Sequence, residues 1–133
     1  MAGTVTSFAR KSTYGDKNYT ILKIDWTSDG SGNATAAVNA YGFLVKMITL
    51  PGSPAPTDLY DITLVDALGG LDALRNLLAD QSSTLTKEIY GIAKNSSDVS
   101  PVPILLAGDY TFTVANAGAT KAGTCYLFLV EGL

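Results

Sequence analysis

Ten aspartates, two glutamates, one cysteine and seven tyrosines are the residues of this 133-residue chain that could do chemistry, and histidine is absent. Without an imidazole no Ser-His-Asp or Cys-His arrangement can be built. One cysteine cannot supply a tetrahedral zinc set, nor an intrachain disulfide. Cys125 lies in TCYLFLV, alternating with Leu127 and Leu129, and reads as a small buried hydrophobe rather than a reactive thiol. The aspartates invite a calcium reading, but Asp58, Asp61 and Asp66 are spread along one strand and its ends with no D-x-D-x-D loop. Any two carboxylates could meet for glycoside hydrolysis, yet no spacing selects a pair. Gly69-Gly70 lacks the Lys-Ser/Thr of a phosphate loop. The sequons at Asn18, Asn33 and Asn95 mean only that Asn, Ser and Thr are common here. No catalytic, cofactor-binding or metal-ligating residue is assigned, and the expectation is a non-enzyme. What remains are the tyrosines at 14, 19, 41, 60, 90, 110 and 126. They are candidate stacking platforms for sugars or anchors at a subunit interface, although most read as half-buried strand residues.

Length and composition point to one domain spanning 1–133, with residues 1–17 as a candidate flexible arm. Hydrophobic residues make up 47%, so a core can form without staples. The net charge of −3, with scattered Lys and Arg, argues against a nucleic-acid partner, which requires a concentrated basic face. Apolar runs fall well short of the ~20 residues of a membrane helix, and the N-terminus does not read as a signal peptide. Charged residues are only 16%, consistent with a surface that packs against other subunits.

Period-two alternation supplies the elements that would position these side chains. Residues 3–9 read as a first, edge strand, followed by a polar loop. In Asn18–Trp26, Leu22, Ile24 and Trp26 share one face, and Tyr19, Ile21, Lys23 and Asp25 the other. Residues 34–41 read as a small-residue strand. In 43–50, Leu44, Lys46, Ile48 and Leu50 take one parity and Phe43, Val45 and Met47 the other. PGSPAPTD is a stiff connection, suited to crossing from one sheet to another, because its prolines remove backbone donors. Tyr60, Ile62 and Leu64 then oppose Asp61 and Thr63. Leucines 71, 74, 77 and 78 recur at helical spacing, predicting a short helix or 3₁₀ segment, with a hairpin through 71–74 as the competing reading. Further strands are expected at 84–93, in ILLA before a Gly108-Asp109 turn, in DYTFTVANA and in GTCYLFLVEGL, the last central in its sheet. About eight short strands with at most one short helix predict an all-β fold, an antiparallel β-sandwich or jelly roll.

Two stretches carry a resemblance: Trp26-Thr27-Ser28-Asp29-Gly30-Ser31-Gly32-Asn33-Ala34, and Pro51-Gly52-Ser53-Pro54-Ala55-Pro56-Thr57-Asp58 running on through Leu59-Tyr60-Asp61-Ile62-Thr63-Leu64. With the MAGTVT start and the final apolar strand, the chain resembles small β-sandwich virion structural proteins of tailed bacteriophages, of the capsid cement or decoration type. The resemblance implies a non-enzymatic protein that binds and stabilises the shell of major capsid protein as a trimer or dimer. It would sit on the capsid surface, after assembly in the host cytoplasm. The leucine-rich 67–78 departs from the pattern and would pack on a neighbour. Candidate partner-interface residues are Phe8, Tyr14, Tyr19, Leu74 and Leu77. The alternative is a tail-fibre or baseplate module of the same fold that binds host surface glycans. No cofactor is expected.

Overall fold

In the computed structural model, which describes residues 3–14, 17–90, 92–93 and 102–131, Ala34–Pro51 is a single 18-residue strand that organises the rest. The strands are β1 (Thr4–Tyr14), β2 (Lys17–Thr27), β3 (Ala34–Pro51), β4 (Asp61–Asp66), β5 (Lys87–Tyr90), β6 (Ile92–Ala93), β7 (Val102–Ala115) and β8 (Ala122–Val130). All pairings are antiparallel, and no helix occurs among the described residues. The all-β expectation holds. The strands form one connected sheet in the order β1-β2-β8-β3-β7-β4, with β5 on β3 and β6 on β7.

That order divides the sheet into two halves that share β3. The N-terminal part of β3, Ala34 to Leu44, pairs with β7, and its C-terminal part, Phe43 to Pro51, pairs with β8. The changeover is built from two irregularities. Gly42 adopts φ +123, and a Cβ there would stand 2.8 Å from the Val130 carbonyl oxygen, so only glycine fits without strain. Beyond it the register shifts between Leu44 and Lys46, leaving Val45 as the extra residue of a bulge. The first half-sheet is therefore β1-β2-β8-β3-β5, and the second is β3-β7-β4 with β6.

Both halves turn one face into a single core. Leu22, Ile24 and Trp26 of β2 and Cys125, Leu127 and Leu129 of β8 are buried, as their alternation predicts. From the second half come Ile62, Leu64, Tyr110, Phe112 and Val114. Trp26 and Tyr60 bring their ring centroids to 5.5 Å, one from each side. Gly123 sits against the indole, where a Cβ would lie 2.4 Å from Trp26 Cζ2.

Five expectations are corrected. The bulge at Val45 breaks the parity read for 43–50, so Leu44, Met47 and Thr49 face inward while Lys46 and Ile48 do not. The first strand does not stop at residue 9. Of the candidate arm at 1–17, Thr4–Tyr14 is β1, paired with β2 from Thr4↔Thr27 to Tyr14↔Lys17. Gly108-Asp109 is not a turn; both residues pair within β7, Gly108 with Ala40 at φ +126. The strand expected over 84–93 is described only as the short β5 and β6.

The fifth correction concerns 71–78, which is not helical. Asp72 bridges to Val65, a one-residue remnant of the hairpin reading, and three successive turns follow. The Asp72 carboxylate decides this. Its Oδ1 accepts from the Leu64 and Leu74 amides at 3.0 Å each, and Oδ2 accepts from Asn76 at 3.0 Å. Amides taken by a side chain are withdrawn from a helical ladder, and the positive φ of Arg75 and Asn76 ends any continuation. The helical leucine spacing nevertheless delivers Leu74 and Leu78 into the core. Gln81 fastens the end of this loop, accepting from Thr49 Oγ1 at 2.8 Å inside the core.

Candidate interaction surface

The face of the first half-sheet that points away from the core is where side chains of interest converge. Strand register fixes its rows, because directly opposed residues in an antiparallel pair project to the same side. One row reads Tyr90, Lys46, Phe128, Ile21, Arg10 across β5, β3, β8, β2 and β1. The next reads Glu88, Ile48, Tyr126, Lys23, Phe8. Towards the β3 corner lie Phe43, Val130, Tyr19 and Ser12, and on the other side Leu50, Thr124, Asp25 and Thr6. The centre is aromatic and aliphatic, and the charges lie around it.

Local contacts hold this surface in order. Tyr126 and Phe128 have ring centroids 6.5 Å apart. Lys46 Nζ stands 4.7 Å from the Phe128 ring centroid and 3.3 Å from Glu88 Oε1, so its stem lies along the aromatic patch while its charge is balanced. Lys23 reaches Asp25 at 3.7 Å, and Thr124 donates to Asp25 Oδ1 at 2.7 Å. Arg10 has no carboxylate partner among the described residues.

Of the five residues picked from sequence as a partner interface, the structure brings together two. Phe8 is 69% exposed at the β1 margin of this face, and Tyr19 is half-buried on it. Tyr14 ends β1, and its side chain lies outside the described residues. Leu74 is corrected outright: at 1% exposure it is core. Leu77 is half-buried and packs against the same core, so it offers a partner little either. The exposed leucines of that loop are Leu68 and Leu71 instead. Sequence reasoning missed Phe128 and Ile48, and names Tyr90 and Tyr126 only among the seven candidate tyrosines. The available signal was β8 itself, apolar at successive positions as a strand covered on both faces would be.

The aspartates act as loop staples. Asp66 and Asp72 both line a shallow cavity of about 210 Å³ beside Arg75 and Tyr110, and Asp66 also meets Asp109 at a neighbouring open cleft. Asp66 accepts from the Gly69 and Leu68 amides, Gly69 first, and these hold its carboxyl below the usual carboxylate range. Asp72 is occupied by three amides as above. The lowered Asp66 carboxyl is the reverse of the raised general acid that glycoside hydrolysis uses. Asp29 is likewise lowered, by the Asn33 amide first and then Ser31, at the 28–33 turn. No cluster of three metal-ligating side chains occurs among the described residues. Burial pushes the Cys125 thiol up to about 12, which keeps it protonated and inert at neutral pH. A second open cleft, about 340 Å³, lies near the β3 corner over Leu22, Ala40, Leu106 and Leu129, with Lys11 and Glu131 among its lining residues.

Comparison of the whole chain with protein-family models and with curated proteins finds no match to either.

Proposed function

We propose that this chain is a non-enzymatic virion structural protein of a tailed bacteriophage, a cement or decoration protein that binds and stabilises the shell of major capsid protein. The observation that carries the reading is the aromatic, charge-rimmed outer face of the first half-sheet, an association surface without a reactive group, as suits a protein that assembles into a small oligomer on a shell. Support comes also from the sequence resemblance, and from a body of long antiparallel strands that presents this face pre-ordered, so that binding loses little conformational entropy. In this reading the protein sits on the capsid surface as a small oligomer of two layered half-sheets.

The test mixes purified protein with expanded shells that lack it. Saturable binding and a gain in the heat resistance of the shells are expected. Absence of both overturns the proposal. The tail-fibre or baseplate reading is favoured by one particular: Tyr19, Tyr90 and Tyr126 share the same face, as a sugar-stacking platform would require. Binding to a glycan array that is lost with Tyr90→Ala and Tyr126→Ala, with no binding to shells, decides for that alternative.

A further inference from the structure

The charges on the outer face of the first half-sheet are arranged asymmetrically across the strands, and that asymmetry selects an occupant. Glu88 lies on β5 at one lateral margin, and Arg10 lies on β1 at the opposite margin, one row away. Phe128 and Tyr126 stand between them on the central strand β8. We propose that this face is a twofold interface with a second copy of the chain, the two half-sheets stacked face to face about an axis running along β8.

Rotation about such an axis exchanges the margins while keeping the rows. Phe128 meets Phe128 and Tyr126 meets Tyr126 near the axis. Arg10 comes over Tyr90 of the other copy, with that copy's Glu88 one row away. Arg10, which has no carboxylate partner among the described residues, thus acquires an acid and an aromatic ring together. The other in-plane twofold, perpendicular to the strands, keeps each margin over itself. It would lay Arg10 over β1 of the other copy, a strand that carries no carboxylate, so no acid is gained there. Aligned sheets pack at about 10 Å with strand directions within ~30°, an offset smaller than one row at the margins. Four strands by four rows, widened by the two rows of β5, make a plane of roughly 20 by 25 Å, and side-chain relief brings its accessible area towards the ~800 Å² per partner of an ordinary stable interface. Burying both faces of β8 also accounts for a strand that is apolar at nearly every position.

The dimer does not rest on the shell reading. It forms with the purified chain alone, so its failure and the failure of shell binding are separate results.

The experiment is sedimentation equilibrium of the full chain over a micromolar concentration series, with thermal unfolding run in parallel. The expected species has twice the 13.9 kDa chain mass. Phe128→Ser is expected to weaken the dimer by about 30-fold or more, as truncation of a central aromatic anchor does. Because a β8 substitution could disturb folding, the exposed margins supply the second arm. Arg10→Glu is expected to weaken association about tenfold, and Arg10→Glu combined with Glu88→Arg is expected to restore it to within about threefold. A monomer throughout the series, a trimer, or a dimer indifferent to both Phe128→Ser and Arg10→Glu overturns the proposal. So does a double exchange that behaves no better than Arg10→Glu alone.

Discussion

The two half-sheets share β3 and one core, yet their outer faces are unlike. On the first, Phe128, Tyr126, Ile48 and Ile21 form a continuous apolar centre. On the second, the rows shared with β4 read Thr35, Thr113, Thr63 and Ala37, Thr111, Val65, with Thr35 and Thr113 joining hydroxyls at 3.1 Å, and the exposed Tyr41 and Leu105 lie apart from them towards the β3 corner. Threonine satisfies strand preference through its branched Cβ while its hydroxyl remains compatible with water. A threonine ladder is therefore a face built to stay wet. Aromatic rows have the same strand preference with less accommodation to water, and the proposed association rests on that contrast.

The inner faces should not share this contrast, and the largest expected effects test that. Phe112→Ala in the second half and Leu127→Ala in the first are each expected to cost about 3–5 kcal/mol in urea unfolding, whichever half they belong to. Both side chains are 1% exposed. A cost below about 1 kcal/mol for either would mean that one half is packed independently of the common core.

A second effect joins the halves through titration. Tyr60 lies on the second half's side, and burial first, then the neighbouring Cys125 thiol, push its phenol up to about 12, with a smaller offset from the Thr49 hydroxyl. Cys125, on the first half, is also at about 12. In both groups the folded state favours the neutral form. Their contribution is complete below the unfolded values, near 9 for the thiol and 10 for the phenol, and is lost as pH rises towards 12. Stability measured by denaturant midpoint is expected to fall through that window, and Cys125→Ala together with Tyr60→Phe is expected to flatten the fall. A thiol reagent at pH 8 should modify Cys125 only at the rate of opening.

Much of this was legible in the sequence, and the limits have a common cause. Alternation names the inward residues of single strands correctly at 22/24/26, 60/62/64, 110/112/114 and 125/127/129, because each pattern is local. It failed at 43–50, where one extra residue at Val45 reverses the parity, and at 71–78, where the Asp72 carboxylate claims the amides a helix would use. It failed more instructively over the interaction surface. Alternation puts Tyr19 and Ile21 on the face of β2 opposite Trp26, and the apolar run of β8 predicts a central strand. The patch, however, is assembled from five strands distant in sequence, and no single alternation contains the register that places Tyr90, Phe128 and Arg10 in one row. Phe8 and Tyr19 are legible as outward aromatics, whereas Leu74 follows from the leucine-rich run of 67–78 and is core.

Asp72 gives an intermediate effect confined to the loop beside the second half. Asp72→Ala is expected to cost about 1–3 kcal/mol, because it leaves the Leu64, Leu74 and Asn76 amides without their acceptor. Hydrogen exchange should speed up at those amides while those of β8 keep their protection. An equal loss of protection in β8 would show that the loop and the first half open as one unit.

The smallest expected effect bears most directly on the contrast between outer faces. Thr113→Lys places a charge in the middle of the threonine ladder, at a half-buried position flanked by Thr35 and Thr63. The side chain can extend into water past its neighbours, so the change in unfolding free energy is expected to stay within about 0.5 kcal/mol. Self-association and shell binding should be unaltered. The same substitution in the matching place on the other face, Tyr126→Lys, should remove association, with thermal unfolding checking that the β8 variant is folded, because there the charge would be sealed under a partner rather than left in water. If Thr113→Lys disrupted association as strongly as Tyr126→Lys, the wet face would be an interface too, and the distinction drawn from threonine against aromatic rows would not stand.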